Sequence, residues 1–287
     1  VARYDPDNHA VFSLDRQIAG LGLLTAAFGT LVFAPHVHEE MVIAVTQAGA
    51  GRCVTRGTAS VGTPQTVMVF NPGEPHQGGV TGDAPWCYRS FYLGPDLLTT
   101  LGDETFGRRI TLPWFREAVV NDPDLARSML AAHRAIDGGA GRLMRETLLL
   151  EALALLFRRH GAPAPHLPVP GREGRPVQRV AAALRDDPAA DWSVATLAAL
   201  AGMSPFHFCR AFRKETGLAP HAFLTQARLD LARRHLAAGM APAEVAAATG
   251  FCDQSHLTRQ FKRCYGITPG LWAAAVAGAR SANTEAR

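Results

Sequence analysis

Residues 204–220 read SPFHFCRAFRKETGLAP, and residues 253–269 read DQSHLTRQFKRCYGITP. Aligned at an offset of 49, Phe208 falls on Leu257, Arg210 on Arg259, Phe212 on Phe261, Gly217 on Gly266 and Pro220 on Pro269. Upstream, Leu197, Ala198, Gly202 and Met203 recur as Val245, Ala246, Gly250 and Phe251 at an offset of 48, so the second copy has one extra turn residue, Cys252. Self-similarity of this kind marks a duplicated supersecondary unit. Each copy predicts a helix-turn-helix: a short helix (194–201 or 242–249), a turn carrying Gly202 or Gly250, and a second helix capped by Ser204 or Asp253.

On that second helix, Phe208 and Phe212, or Leu257 and Phe261, are four apart and form the buried stripe. Phe206, Cys209 and Arg210 then face outward in the first copy, and Gln254, Ser255, Thr258 and Arg259 in the second. A polar, basic face one helix wide suits the DNA major groove. Arginine grips guanine O6 and N7 bidentately, glutamine does the same at adenine N6/N7, and threonine or phenylalanine meets the thymine methyl. Arg213, Lys214, Lys262 and Arg263 sit where they meet phosphates, positioning the protein without specifying sequence.

Charge points the same way. The net charge of +4 is divided unevenly: residues 1–171 hold 14 basic and 16 acidic side chains, whereas residues 172–287 hold 15 and 9. The basic half fits a polyanionic partner. Four prolines in residues 161–171 (GAPAPHLPVPG) cannot continue a helix and mark the junction between the halves. Before it, residues 30–93 alternate short apolar runs with Gly/Pro/Asn turns, which predicts a small β-barrel or sandwich. From Asp122 the period becomes helical: Leu125, Met129, Ala132 and Ile136, then Leu143, Thr147, Leu150, Ala154 and Phe157, with a break at Gly138-Gly139. The expected class is α+β, with a barrel and helical pair followed by an all-α domain.

The C-terminal half resembles the AraC/XylS-type bacterial transcription regulators over about 105 residues, from Pro176 to the region of Ala279. The resemblance rests on Ser204-Pro-Phe-His-Phe-x-Arg-x-Phe-Arg-Lys-x-x-Gly217, on Gly250-Phe-x-x-Gln-Ser-His-Leu-x-Arg-x-Phe-Lys262 and on Tyr265-Gly-x-Thr-Pro269. It implies two helix-turn-helix units joined by a long helix, here His221–Ala238, that places both reading helices in successive major grooves. The base-reading positions carried over are Phe206, Cys209 and Arg210, then Gln254, Ser255, Thr258 and Arg259. Cys209 is short for a base reader, so the first unit reads fewer bases.

The same resemblance implies a cupin-like N-terminal barrel that binds an effector, followed by dimerising helices. On this view residues 1–160 form the effector and dimerisation domain, 161–175 the linker, 176–279 the DNA-binding domain and 280–287 a tail. Partners would be double-stranded DNA, a small-molecule effector, a second copy of the chain and RNA polymerase, with no membrane involved. Alternation places His36, His38 and Glu40 of HVHEE on one face of a strand, and NPGEPH (residues 71–76) matches the later barrel motif. His36, His38, His76, Trp86 and Tyr88 are the candidate effector-lining residues.

Two other readings of these histidines stay open. They are polar residues satisfied at strand ends, or they are metal ligands, because His-x-His plus a later His is also the pattern of metal-dependent cupins. Those proteins usually place a Glu four or five residues after the second His, where this chain has Val42 and Ile43. No metal, cofactor or catalytic residue is therefore assigned. A metal-dependent cupin enzyme, or a metal sensor with a helical appendage, is the alternative function. With no apolar run of membrane-spanning length, no basic-then-apolar leader and five cysteines lacking a Cys-x-x-Cys pair, the expected setting is a reducing cytoplasm, with nucleoid association on DNA binding.

Overall fold

The computed structural model describes residues 7–106, 114–162 and 174–285, which divide into two compact units. The first is built on strands β1 (Asn8–Leu14), β2 (Leu21–Phe28), β3 (Val32–His36), β4 (Met41–Ala48), β5 (Gly51–Thr55), β6 (Thr58–Gly62), β7 (Thr66–Phe70), β8 (His76–Val80) and β9 (Trp86–Leu93). Helix α1 (Pro95–Phe106), strands β10 (Trp114–Phe115) and β11 (Val119–Asn121), helices α2 (Pro123–Asp137) and α3 (Arg142–His160), and strand β12 (Gly161–Ala162) follow. One sheet has the order β1-β2-β9-β4-β7-β11 and a second the order β3-β8-β5-β6. The strands begin at Asn8, well before residue 30, because LGLLTAAF (21–28) is an apolar run held between β1 and β9 and hides its alternation.

Alternation along β9 divides the unit. Phe91 and Leu93 join Ile43, Val45, Val67 and Val69 in a core closed by Met129 and Ile136 of α2 and Leu153 and Leu156 of α3. Trp86, Tyr88, Ser90 and Tyr92 point the opposite way, where the Trp86 indole donates to Thr46 Oγ1 at 3.1 Å and Phe28 meets Tyr88 edge-on at 5.8 Å. A Cβ on Gly51 would lie 2.2 Å from the Trp86 indole, so glycine is what lets β5 close over that ring.

Helix α2 buries the predicted Leu125, Met129, Ala132 and Ile136, with Asp122 as its N-cap and the break at Gly138. Helix α3 does not present the predicted stripe. Leu149, Ala152, Leu153, Leu156 and Phe157 are buried, Thr147 is exposed, Leu150 and Ala154 are half-buried, and the Leu143 side chain lies outside the described residues. The run LLLEALALLF (148–157) is apolar almost all round, so periodicity does not fix its rotation. An ion pair between Arg145 and Asp15, with side chains 9% and 5% exposed, does.

The expected linker starts late and the expected tail is helical. Gly161–Ala162 pair as β12 with Trp114–Phe115, residues 163–173 lie outside the described residues, and α10 continues to Glu285 through an alanine-rich stretch that favours helix.

The second unit contains α4 (Gly174–Asp186), α5 (Val194–Ala201), α6 (Pro205–Thr216), α7 (Pro220–Ala237), α8 (Pro242–Ala248), α9 (Gln254–Tyr265) and the start of α10 (Pro269–Glu285). The duplication is visible in every punctuation mark. Gly202 and Gly250 turn at φ +66° and +79°, Ser204 and Asp253 cap α6 and α9 through the N–H groups of His207 and His256, and Gly217 and Gly266 end them in the left-handed region. Pro220 and Pro269 then open α7 and α10. Cys252, the inserted residue, is exposed in the second turn.

Candidate DNA-reading surface and barrel site

Each reading helix is held by its apolar face. Phe208 and Phe212 are fully buried with rings 5.3 Å apart, and Phe212 meets Phe223 of α7 edge-on at 5.3 Å. Leu257 and Phe261 are fully buried in the second unit, where Phe261 packs on Tyr265 at 4.7 Å. Helix α7 ties the two helix-turn-helix repeats together. Gln226 Nε2 donates to the Tyr265 hydroxyl at 3.0 Å, and the Arg233 guanidinium lies 5.3 Å from the Tyr265 ring and 4.3 Å from that of Trp272.

The opposite faces are open. Arg210, Arg213 and Lys214 are exposed on α6 and Cys209 is half-buried, while the Phe206 side chain lies outside the described residues. On α9, Gln254, Ser255, Arg259 and Arg263 are exposed, with Thr258 and Lys262 half-buried. A concavity of about 530 Å³ is lined by His207, Arg210, Ala211, Arg213 and Lys214. His207 is the addition here that sequence reasoning misses, although its spacing to Arg210 and Lys214 was a usable signal. The arrangement presents basic groups along a capped helix, which is what contact with DNA bases and phosphates needs.

In the first unit, His36 ends β3, His38 lies in the connection to β4, and His76 opens β8. His36 and His38 therefore do not share one strand with Glu40, because β3 ends at His36 and leaves His38 and Glu40 in the connection to β4; the buried–half-buried–buried pattern of 36–38 nevertheless turns both imidazoles inward. Glu40 is half-buried, and Val42 and Ile43 are core residues. The three histidines are 3%, 6% and 8% exposed and bring one ligand nitrogen each within 4.8 Å of the others. Burial lowers the His76 pKa to about 4, against opposing contributions from the Glu74 carbonyl and carboxylate.

The turn before His76 is built by Asn71 and Glu74. Asn71 Nδ2 donates to Glu74 Oε2 at 2.7 Å and to the Phe115 carbonyl at 3.0 Å, and the Phe115 N–H donates back to Asn71 Oδ1 at 2.9 Å. Burial pushes the Glu74 pKa up, but bonds from Arg56, Asn71 and Thr55 outweigh it and hold the carboxyl below its usual range. Arg56 also donates to the carbonyls of Phe115 and Arg116 at 2.7 and 2.6 Å. Trp86 and Tyr88 lie against each other, ring centroids 4.3 Å apart, and burial pushes the Tyr88 hydroxyl well above its ordinary pKa.

A barrel with an inward-facing polar cluster and a double helix-turn-helix module define a ligand-binding, DNA-binding regulator. Residues 20–153 match the family model for the AraC-like ligand binding domain, and residues 197–275 match a helix-turn-helix domain model. The uncharacterized HTH-type transcriptional regulator YbfI of Bacillus subtilis (strain 168) is 29% identical over 227 residues, covering 78% of this chain and 81% of that protein. An AraC-like transcription regulator of Streptomyces lividans is 36% identical over 138 residues, so that match spans only 45% of each chain. Among solved structures, ToxT from Vibrio cholerae O395 bound to a naphthalenyl-butenoic acid aligns with TM-score 0.55 over 94% of this chain and 99% of that one, at 9% identity, a likeness of fold alone. Both halves of the chain thus match models of AraC-type regulators, a ligand-binding domain followed by a helix-turn-helix domain, and the relatives found are AraC-type transcriptional regulators.

Proposed function

We propose that this protein is a sequence-specific regulator in which α6 and α9 read DNA bases and the barrel binds a small-molecule effector. The carrying observation is the pair of reading helices, alike in cap, length and C-terminal glycine and each buried on one side only. Phe206, Cys209 and Arg210 read bases in the first unit, and Gln254, Ser255, Thr258 and Arg259 in the second. Arg213, Lys214, Lys262 and Arg263 hold phosphates. His36, His38, His76, Trp86 and Tyr88 line the effector site. No catalytic role is part of this reading.

The proposal includes a homodimer through α2 and α3, supported by Met144, 58% exposed on α3, with half-buried Leu148 one turn further along the same helix. RNA polymerase is a further partner and the cytoplasm the site of action; no helix among the described residues is long and apolar enough to cross a membrane. Selection of genomic fragments by the purified protein at near-physiological salt tests the reading. One short motif should be enriched, and the enrichment should vanish in an Arg210→Ala/Arg259→Ala variant. Retention of the same motif by that variant would reject the assigned faces.

A further inference from the structure

We propose that His36, His38 and His76 form a three-imidazole site for a divalent transition-metal cation, so that the barrel's sensing chemistry is metal capture. The proposal rests on the reading of the barrel as the sensing module and names the class of ligand it takes.

The first argument is convergence. The three buried imidazoles come from three segments, the end of β3, the β3–β4 connection and the start of β8, and their ligand nitrogens lie within 4.8 Å of one another. Nitrogens bound at about 2.0–2.1 Å around a tetrahedral ion stand roughly 3.3 Å apart, a closure that ring rotation supplies.

The second is tautomer. His36 Nδ1 lies 2.6 Å from the Ala34 carbonyl and His76 Nδ1 lies 2.9 Å from the Glu74 carbonyl. A carbonyl only accepts, so in the neutral rings Nδ1–H is the donor and the lone pair sits on Nε2. Carbonyl acceptors of this kind orient metal-binding histidines and raise their basicity.

The third is support. Each imidazole has an aromatic neighbour: Phe33 beside His36 at 6.0 Å, Tyr92 edge-on to His38 at 5.6 Å, and Phe70 stacked on His76 at 4.1 Å and 10°. The Gly73 N–H donates to the His38 carbonyl at 2.7 Å, fastening the His38 connection to the turn that precedes His76. Three nitrogen ligands suit zinc, copper, nickel or iron and leave a fourth position for water or an effector's donor atom.

The test uses the full chain, freed of metal by chelation and titrated with Co²⁺ and Zn²⁺. One equivalent should bind, the cobalt spectrum should be that of a low-coordinate nitrogen site without a thiolate charge-transfer band, and His38→Ala and His76→Ala should each weaken binding at least tenfold. Absence of stoichiometric binding, unchanged binding in both variants, or a cobalt–thiolate spectrum would overturn the proposal. The spectrum of the wild-type chain decides even where a variant fails to fold. Binding to the selected DNA motif, measured with and without Zn²⁺, separates the two readings. Motif binding by a chain that takes no metal rejects the metal site and leaves the regulator. Metal bound through the histidines by a chain that selects no motif supports the site and rejects the regulator.

Discussion

The Tyr265 hydroxyl donates to Asp230 Oδ1 at 3.1 Å while accepting from Gln226 Nε2, so the last residue of α9 is bonded to the middle of α7. The position of the second reading helix relative to the connecting helix is thus set by polar geometry as well as by apolar packing. Tyr265→Phe keeps the ring and removes the hydroxyl, and should lower stability by about 1–2 kcal/mol. Chemical denaturation followed by helical circular dichroism checks this, and an unchanged midpoint would show that the bonds hold nothing.

Arg259 and Lys262 stand three positions apart on α9 but should differ in kind. Arg259→Ala is expected to relax preference at one base pair, at a cost of about 1–3 kcal/mol for the preferred sequence. Lys262→Ala should weaken all sequences alike and reduce the salt slope by about one. Titrations of matched and mismatched duplexes over a range of salt distinguish the two.

Gly250 turns at φ +79°, and a Cβ there would stand 3.0 Å from the Arg228 guanidinium, which itself donates to the Pro188 carbonyl at 2.8 Å. Gly250→Ala meets both backbone strain and this contact, and should destabilise the second unit by roughly 1–3 kcal/mol. Gly139 also has positive φ, but with open space around it; the matching change there should be milder under the same denaturation assay.

Arg145 and Asp15 face each other almost without solvent. Arg145→Ala strands a buried carboxylate, with an expected loss of about 3–5 kcal/mol. The double variant Arg145→Leu/Asp15→Leu should recover much of that loss, and failure to recover would mean that the pair does more than balance charge.

Acid should loosen the barrel unit through His133. Burial, aided by Arg89, lowers this histidine's pKa from 6.5 to about 4, so between those values the unfolded chain binds a proton that the folded chain refuses. Stability from this group is full above pH 6.5 and falls as the pH drops toward 4. Asp122 acts further down: burial raises its pKa, but bonds from His160, Leu125 N–H and Arg159 prevail and bring it from 3.8 to about 2, so its contribution is present above pH 3.8 and lost on acidification toward 2. Melting temperatures from pH 3 to 7 should show the first loss flattened in His133→Phe.

How much of this was legible depends on range. Caps, glycines and prolines act within a few residues, so α6 and α9 can be read from Ser204, Gly217, Asp253 and Gly266 directly. The common direction of His36 and His38 follows from local alternation. That His76 joins them depends on the β3–β8 neighbour relation, and in the sequence it comes only from family resemblance. Nothing local announces that Arg56 and Asn71 will brace Phe115, respectively 59 and 44 residues away. The rotation of α3 was hidden for a different reason: its apolar surface is too broad for periodicity to choose a face, and one distant carboxylate chooses it.

The two reading helices share a frame but not a surface, since Gln254, Ser255 and Thr258 have no counterparts in type at the matching positions of α6. An element recognised by such a chain has a polarity, with a left end and a right end that cannot be exchanged. A single bound molecule would therefore point along the chromosome, and inverting its binding site would reverse the direction in which it faces a promoter.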